Sequence, residues 1–149
     1  MTDALAAGPG THLRAALRRL KRPLLYVMSL GYAVAGVVHF VYPSAYAQIM
    51  PPALPAPLLL VYLSGVAEIA VGVGLLYPPT RRAAAVATML LLAAIFPANV
   101  YMATSGVAVE SAAVDADPSA VVRWLRLPLQ GVLVGWAWWY TRPMPEADG

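Results

Sequence analysis

The chain has 149 residues, of which 60% are hydrophobic and 11% charged, with a formal net charge of +3. Because a soluble domain is typically about 25% charged, this composition excludes a soluble globular enzyme, a disordered chain and a nucleic-acid-binding domain. The chain has no cysteine and two histidines, so we expect no disulfide, no thiol chemistry and no metal site. The basic residues cluster at the edges of apolar stretches, where they orient a protein in a bilayer.

In chain order, the sequence predicts an all-α, membrane-embedded four-helix bundle preceded by a basic amphipathic segment. Residues 1–22 form that segment: leucines fall on one helical face beside five Arg and Lys residues, a pattern that suits the surface of an anionic leaflet. The membrane domain covers 23–142, and 143–149 form a loose tail. About 20 apolar residues cross a bilayer core, and four stretches approach this length: 24–42, 58–77, 83–103 and 127–141.

The connecting segments differ in composition. The first contains five prolines and no basic residue, which predicts a compact connector into which the helix of the first span does not continue. In the third span, Pro97 predicts a kink that frees a carbonyl about one turn earlier. The stretch from Thr104 to Trp124 is the most polar, and Asp117 to Ser119 could start a short helix before the last span.

The charge distribution predicts the topology. Arg81 and Arg82 lie in the second loop, the N-terminal segment is basic, and the first loop has no basic residue. The positive-inside rule then predicts a multi-pass protein of the bacterial cytoplasmic membrane with both termini cytoplasmic. The stretch "AVAG" in the first span resembles a signal-peptidase site, but the apolar run continues beyond it.

The uncommon polar residues of the spans point to a site. Glu68 is the sole acidic residue inside a span, and a carboxylate facing lipid would cost at least a few kcal/mol. At 1.5 Å per residue, Glu68 lies near the midplane and its candidate partners lie about 5 Å or roughly 9–11 Å toward the outer face. We therefore predict a polar pocket opening outward, with these candidate partners: Ser64 and Gln130 at the smaller depth difference, and His39, Asn99 and Arg126 at the larger one. Tyr32 shares the helical face of His39.

Each residue also has a simpler interpretation. Glu68 could be a protonated, packed carboxyl with His39 as its partner, and Asn99 could accommodate the kink at Pro97. Gln130 could link two helices, and Arg126 could anchor the interface. The tryptophans at the end of the last span are typical of an aromatic belt, and glycines in the spans are typical of close helix packing.

The motifs resemble the DoxX-like family of small bacterial membrane proteins. The resemblance covers Leu30 to Arg142 and rests on "GVVHFVYPSAYAQIMPPALPAP", "LVYLSGVAEIAVGVGLLYPPTRRAAA", "IFPANVYMA" and "RLPLQ". It implies a four-helix membrane bundle, and the family takes its name from a subunit of a thiosulfate:quinone oxidoreductase. The matching polar positions are His39, Glu68, Asn99 and Arg126. Without cysteine, the thiol chemistry of related four-span bundles is excluded here, and a more distant likeness is to the EXPERA group.

Three functional hypotheses follow. The leading one is an accessory or ligand-binding subunit of a quinone-linked redox or oxidative-stress system, without independent oxidoreductase activity. Glu68 and His39 would exchange a proton, and Arg126 would hold an anionic or carbonyl group of a quinone or another amphipathic molecule. Its partners would be the lipid bilayer and membrane redox-complex proteins, with no nucleic acid. The alternatives are a non-enzymatic assembly factor or scaffold, and an EXPERA-like binder or isomerase of lipophilic molecules.

Overall fold

A computed structural model describes residues 9–106, 109–111, 114–116 and 120–144, with side chains for 16–106 and 120–144. The start of the chain, the helix start predicted at Asp117 and most of the C-terminal tail lie outside the described residues. The elements are α1 Pro9–Val41, α2 Pro43–Gln48, α3 Pro57–Leu76, α4 Arg81–Ser105, β1 Val109–Ser111, β2 Val114–Ala116 and α5 Ala120–Trp139.

The fold is helical apart from one short hairpin, and it fits a multi-pass membrane protein. The part of the chain that the structure describes contains three helices long and apolar enough to cross a bilayer, Ala16–Val41, Pro57–Leu76 and Arg81–Ser105. Their outward faces carry large apolar side chains, and Leu30 and Leu90 are each 66% exposed. Such a surface is far more apolar than water tolerates in a monomeric protein, whereas lipid solvates it.

Two segments predicted as separate are joined into longer helices. α1 runs unbroken from Pro9 to Val41 with Pro23 inside it, so the basic segment continues directly into the first span. α5 likewise includes Pro128 and joins the predicted short helix to the last span. A proline removes one backbone hydrogen bond, but a long apolar helix keeps its others because lipid offers no alternative partners.

The two connectors contain structure that the sequence did not predict. The proline-rich connector begins with the short helix α2, which has Pro43 in its first turn, where a missing N–H costs nothing. α2 packs against α3, α1 and β1. The polar connector forms an antiparallel hairpin in which Glu110 pairs with Asp115 in the register.

The long helices pack in sequence order: α1 against α3, α3 against α4, and α4 against α5. Glycine lets α1 and α3 approach closely, because a Cβ added at Gly36 would lie 2.6 Å from the carbonyl oxygen of Gly65. At the other end of α1, a hydrophobic cluster joins all of these helices: Leu25, Met28, Leu75, Ala84, Ala85, Ala137 and Tyr140.

Candidate functional site

A carboxyl–imidazole pair lies between α1 and α3. Glu68 and His39 are 6% and 8% exposed, and Glu68 Oε2 lies 3.4 Å from His39 Nδ1. Gly65, one turn before Glu68, makes room for this approach, since a Cβ there would lie 2.9 Å from the Cβ of His39. The structure therefore brings together the two residues predicted to carry the chemistry.

The hydrogen bonds of His39 define the state of the pair. Nδ1 lies 2.8 Å from the carbonyl oxygen of Ala35. Because a carbonyl only accepts, Nδ1 carries a hydrogen and donates it to Ala35. Glu68 Oε2 then has no hydrogen-bond partner, although it lies 3.4 Å from Nδ1. This leaves His39 Nε2 as the ring nitrogen with a free lone pair, which can accept a hydrogen bond or a proton.

Tyr46 of α2 covers the pair. Its ring stacks on that of His39, with centroids 3.8 Å apart and planes inclined by 24°. Burial raises the pKa of Tyr46, the negative charge of Glu68 raises it further, and the positive charge of Arg126 lowers it. Tyr46 is therefore within electrostatic range of both Glu68 and Arg126. The sequence reasoning missed Tyr46 because it lies in the proline-rich connector; the run without proline after Pro43 is the signal that could have revealed α2.

Two hydroxyls on α1 extend the site toward the other end of the helix. Tyr32 lies close enough to Glu68 to experience its charge. The buried hydroxyls of Tyr32 and Ser29 have no hydrogen-bond partner. Buried polar groups without partners are rare in native proteins, and each one needs an explanation. A ligand that accepts or donates a hydrogen bond here would supply it.

Asn99 and Gln130 form a second polar group between α4 and α5. Asn99 Nδ2 donates to Gln130 Oε1 at 2.9 Å, and Gln130 Nε2 donates to the backbone carbonyl of Leu92. Leu92 precedes Pro97 by about one turn, in the region where the sequence predicts a freed carbonyl. Among the side chains that the structure describes, no hydrogen bond or ion pair joins this group to Glu68.

The remaining candidates lie apart from the pair. Arg126 is exposed on α5 and reaches the site only through its charge on Tyr46. Ser64 is half-buried on α3 and makes no hydrogen bond to Glu68 or His39. Within the described part of the chain, no cluster of His, Cys, Asp and Glu side chains could hold a metal ion.

One protein-family model matches most of the chain. The family described as a domain of unknown function, DUF8561, matches residues 28–141. The chain belongs to this family. The part of the chain matched to DUF8561 includes both polar groups and the Tyr46 helix. No curated protein matches the chain, and no solved structure does.

Proposed function

We propose that the chain crosses the bacterial cytoplasmic membrane as a four-helix bundle of α1, α3, α4 and α5, with both termini cytoplasmic. The support for α5 as the fourth span is its length and packing. At 1.5 Å per residue its 20 residues extend about 30 Å, the thickness of the hydrocarbon core. α5 packs along α4 and exposes Leu129 and Val132 by 54% and 64%, as a lipid-facing helix would.

We propose further that the Glu68–His39 pair binds an amphipathic small molecule with a carbonyl-bearing head, a quinone above all. The chain would serve as an accessory or ligand-binding subunit of a membrane redox or oxidative-stress system, in keeping with its DoxX-like motifs. The observation that carries this proposal is a buried ionisable pair whose carboxylate oxygen has no hydrogen-bond partner. An isolated structural pair would be expected to satisfy that oxygen.

The side chains around the pair fit a quinone head. Its carbonyl oxygens need donors, and the unpartnered Tyr32 hydroxyl is one. Its ring needs flat apolar surfaces, which Tyr46 offers at His39 and the stacked rings of Phe40 and Tyr62 offer nearby, with centroids 5.6 Å apart. A bound quinone supplies electron and proton transfer. The chain's own residues orient the head, exclude water and hold a proton at His39 Nε2.

The experiment titrates decylubiquinone into the purified protein in lipid nanodiscs and measures binding by calorimetry. We expect saturable binding that His39→Gln weakens by about tenfold or more, the scale of one lost charge-assisted hydrogen bond. Glu68→Gln should also weaken it, because it removes the negative charge that favours a proton on the imidazole that donates to the quinone. Thr88→Ala is the matched control, because Thr88 is also buried in a span but bonds only to Ala84 of its own helix. Unchanged affinity in Glu68→Gln would count against the proposal.

A second candidate function, a membrane scaffold or assembly factor, is favoured by one observation. A Cβ added at Gly131 or Gly135 of α5 would meet nothing within 4 Å, so this face is open to another membrane helix. A scaffold would keep a stoichiometric partner in Glu68→Gln and lose it in Gly131→Leu. The EXPERA-like alternative has less support, because Trp136 packs against the cluster of Leu25 and Leu75, far along α1 from His39.

A further inference from the structure

A basic pocket lies at the end of the molecule away from the Glu68–His39 pair. It is formed where the turn between α3 and α4 meets the residues that follow α5. Its volume is about 260 Å³, and its lining includes Pro78, Arg81, Arg82, Tyr140, Arg142 and Met144. Since one water occupies about 30 Å³ in the liquid, a phosphate group fits in this space.

The pocket concentrates positive charge. Three arginines line it, and the charges of Arg142 and Arg81 also act on Lys21 of α1. Lys21 is only 3% exposed. Among the described side chains the single carboxylate is Glu68, which pairs with His39. The described part of the chain therefore supplies no acidic partner for these cations.

Hydrogen bonds to backbone carbonyls join Lys21 of α1 to the segment that follows α5. Lys21 Nζ donates to the carbonyl oxygens of Arg142 and Pro143 at 3.1 and 2.9 Å. The hydroxyl of Tyr140 donates to the Lys21 carbonyl at 3.1 Å. These hydrogen bonds fix the segment after α5 to α1, and they therefore fix the wall of the pocket that carries Arg142.

Two of the three arginines, Arg81 and Arg142, are also oriented by contacts with the protein. Arg81 Nε and Nη2 donate to the carbonyls of Leu75 and Leu76 at 2.9 and 3.2 Å, which end α3. The guanidinium of Arg142 lies 4.5 Å from the ring centroid of Trp138. A guanidinium held in place in this way presents its remaining N–H groups to an oxyanion at low entropic cost.

We propose that the basic pocket binds a phosphate group, carried by an anionic lipid headgroup or free in solution. The surroundings suit a lipid, because Tyr77 and Trp138 beside the pocket are 61% and 50% exposed and aromatic side chains favour the membrane interface. The phosphate oxygens would accept hydrogen bonds from Arg82 and Arg142, and its charge would offset that of Lys21 and Arg81.

The lipid arm of the test uses the full chain in phosphatidylcholine bilayers with and without phosphatidylglycerol. After extraction into mild detergent at high salt, which screens diffuse attraction, native mass spectrometry counts retained lipids. We expect the protein to retain phosphatidylglycerol. The retained amount should fall by about tenfold or more in the double variant Arg82→Gln with Arg142→Gln. The phosphate arm measures the midpoint of thermal unfolding in pure phosphatidylcholine and compares inorganic phosphate with chloride at equal ionic strength. Any rise in this midpoint that phosphate causes should be absent in the same double variant.

The control removes the same charge elsewhere. Arg18 and Arg19 are exposed cations of α1, and Arg18→Gln with Arg19→Gln should retain binding within about twofold, since neither lines the pocket. Equal losses in the two double variants would overturn the proposal in favour of a diffuse basic surface. If the pocket double variant does not fold, Arg82→Glu alone must abolish binding.

Two further outcomes would also overturn the proposal. The first is no response to either phosphatidylglycerol or phosphate. The second is lipid binding that appears only when Glu146 and Asp148 are neutralised as Glu146→Gln and Asp148→Asn, which would show that the chain's own acidic tail occupies the pocket. Binding in the lipid arm alone, or in the phosphate arm alone, identifies the source of the phosphate.

Discussion

The α1–α3 and α4–α5 pairs both contain small residues and polar side chains, but they are held together differently. Between α1 and α3 the backbones meet: a Cβ added at Gly72 would lie 2.7 Å from the carbonyl oxygen of Ser29. On α5, a Cβ added at Gly131 or Gly135 would meet nothing within 4 Å. The α4–α5 pair is instead linked by Gln130, which bonds to Asn99 and to the Leu92 carbonyl.

The difference shows that lipid leaves two separate ways to hold helices together. Because acyl chains are as apolar as leucine, association depends on close packing or on interhelical hydrogen bonds rather than on burial of apolar surface. The α1–α3 pair uses close packing, so its polar pair, His39 and Glu68, is not needed to link the two helices. The α4–α5 pair uses its polar residues as the link.

The largest expected effect comes from Gly72→Ala. The added methyl group would lie 2.7 Å from the Ser29 carbonyl and 2.9 Å from the backbone nitrogen of Ala33, and neither can rotate away as a side chain could. We expect the free energy of unfolding, measured by SDS titration in mixed micelles, to fall by about 1–3 kcal/mol. Since Glu68 lies one turn before Gly72, quinone binding should weaken in the same variant.

The matched control is Gly135→Ala on α5. Here the added Cβ meets nothing within 4 Å, and alanine is a better helix former than glycine by roughly 0.5–1 kcal/mol. Stability should therefore stay unchanged or rise slightly. If the two alanine variants lost equal stability, the proposed difference between the interfaces would be wrong.

The second prediction concerns the link between α4 and α5. A double-mutant cycle with Asn99→Ala and Gln130→Ala should give a coupling energy of about 0.6 kcal/mol, the average for interhelical hydrogen bonds in membranes, and at most about 1.7 kcal/mol. A second cycle, with Gln130→Ala and Glu68→Gln, should give a coupling near zero, because distant sites without shared partners act independently. Strong coupling in the second cycle would instead merge the two polar groups into one pocket.

Much of the helical fold could be predicted from hydropathy alone. The apolar stretches predicted at 58–77 and 83–103 correspond closely to α3, Pro57–Leu76, and α4, Arg81–Ser105. Such stretches are readable because lipid requires every backbone group to be satisfied within the helix. The continuous α1, the helix α2 and the hairpin depend on tertiary contacts and on prolines that are tolerated, which local patterns do not reveal.

The candidate site was predictable in part. Glu68 and His39 could be paired from the sequence, because a carboxyl in a span needs a partner and few are available. The depth argument could not separate Asn99 and Gln130 from them, because the rise per residue gives depth but not the direction in which a side chain points. Tyr46 could not be predicted, because its contact with His39 depends on how the connector after α1 folds back onto the helices.

The smallest expected effect is a loss of stability at alkaline pH. It concerns Tyr46, whose ring covers the Glu68–His39 pair between α1 and α3. Burial and the charge of Glu68 raise the pKa of Tyr46 above its ordinary value of 10.0. Above that pH the unfolded chain loses the phenol proton while the folded chain retains it, so the contribution of Tyr46 to stability is constant below pH 10 and falls as the pH rises further. Because Tyr46 is partly exposed to solvent, which screens the interaction, we expect its contribution to be the smallest of the predicted effects. Tyr46→Phe should make this decline of the unfolding free energy with pH less steep than in the unchanged chain, whereas Tyr62→Phe, a change at a more exposed tyrosine of α3, should leave its slope unchanged. A decline equally steep in Tyr46→Phe and in the unchanged chain would mean that the Tyr46 ring does not cover the carboxyl–imidazole pair in the membrane.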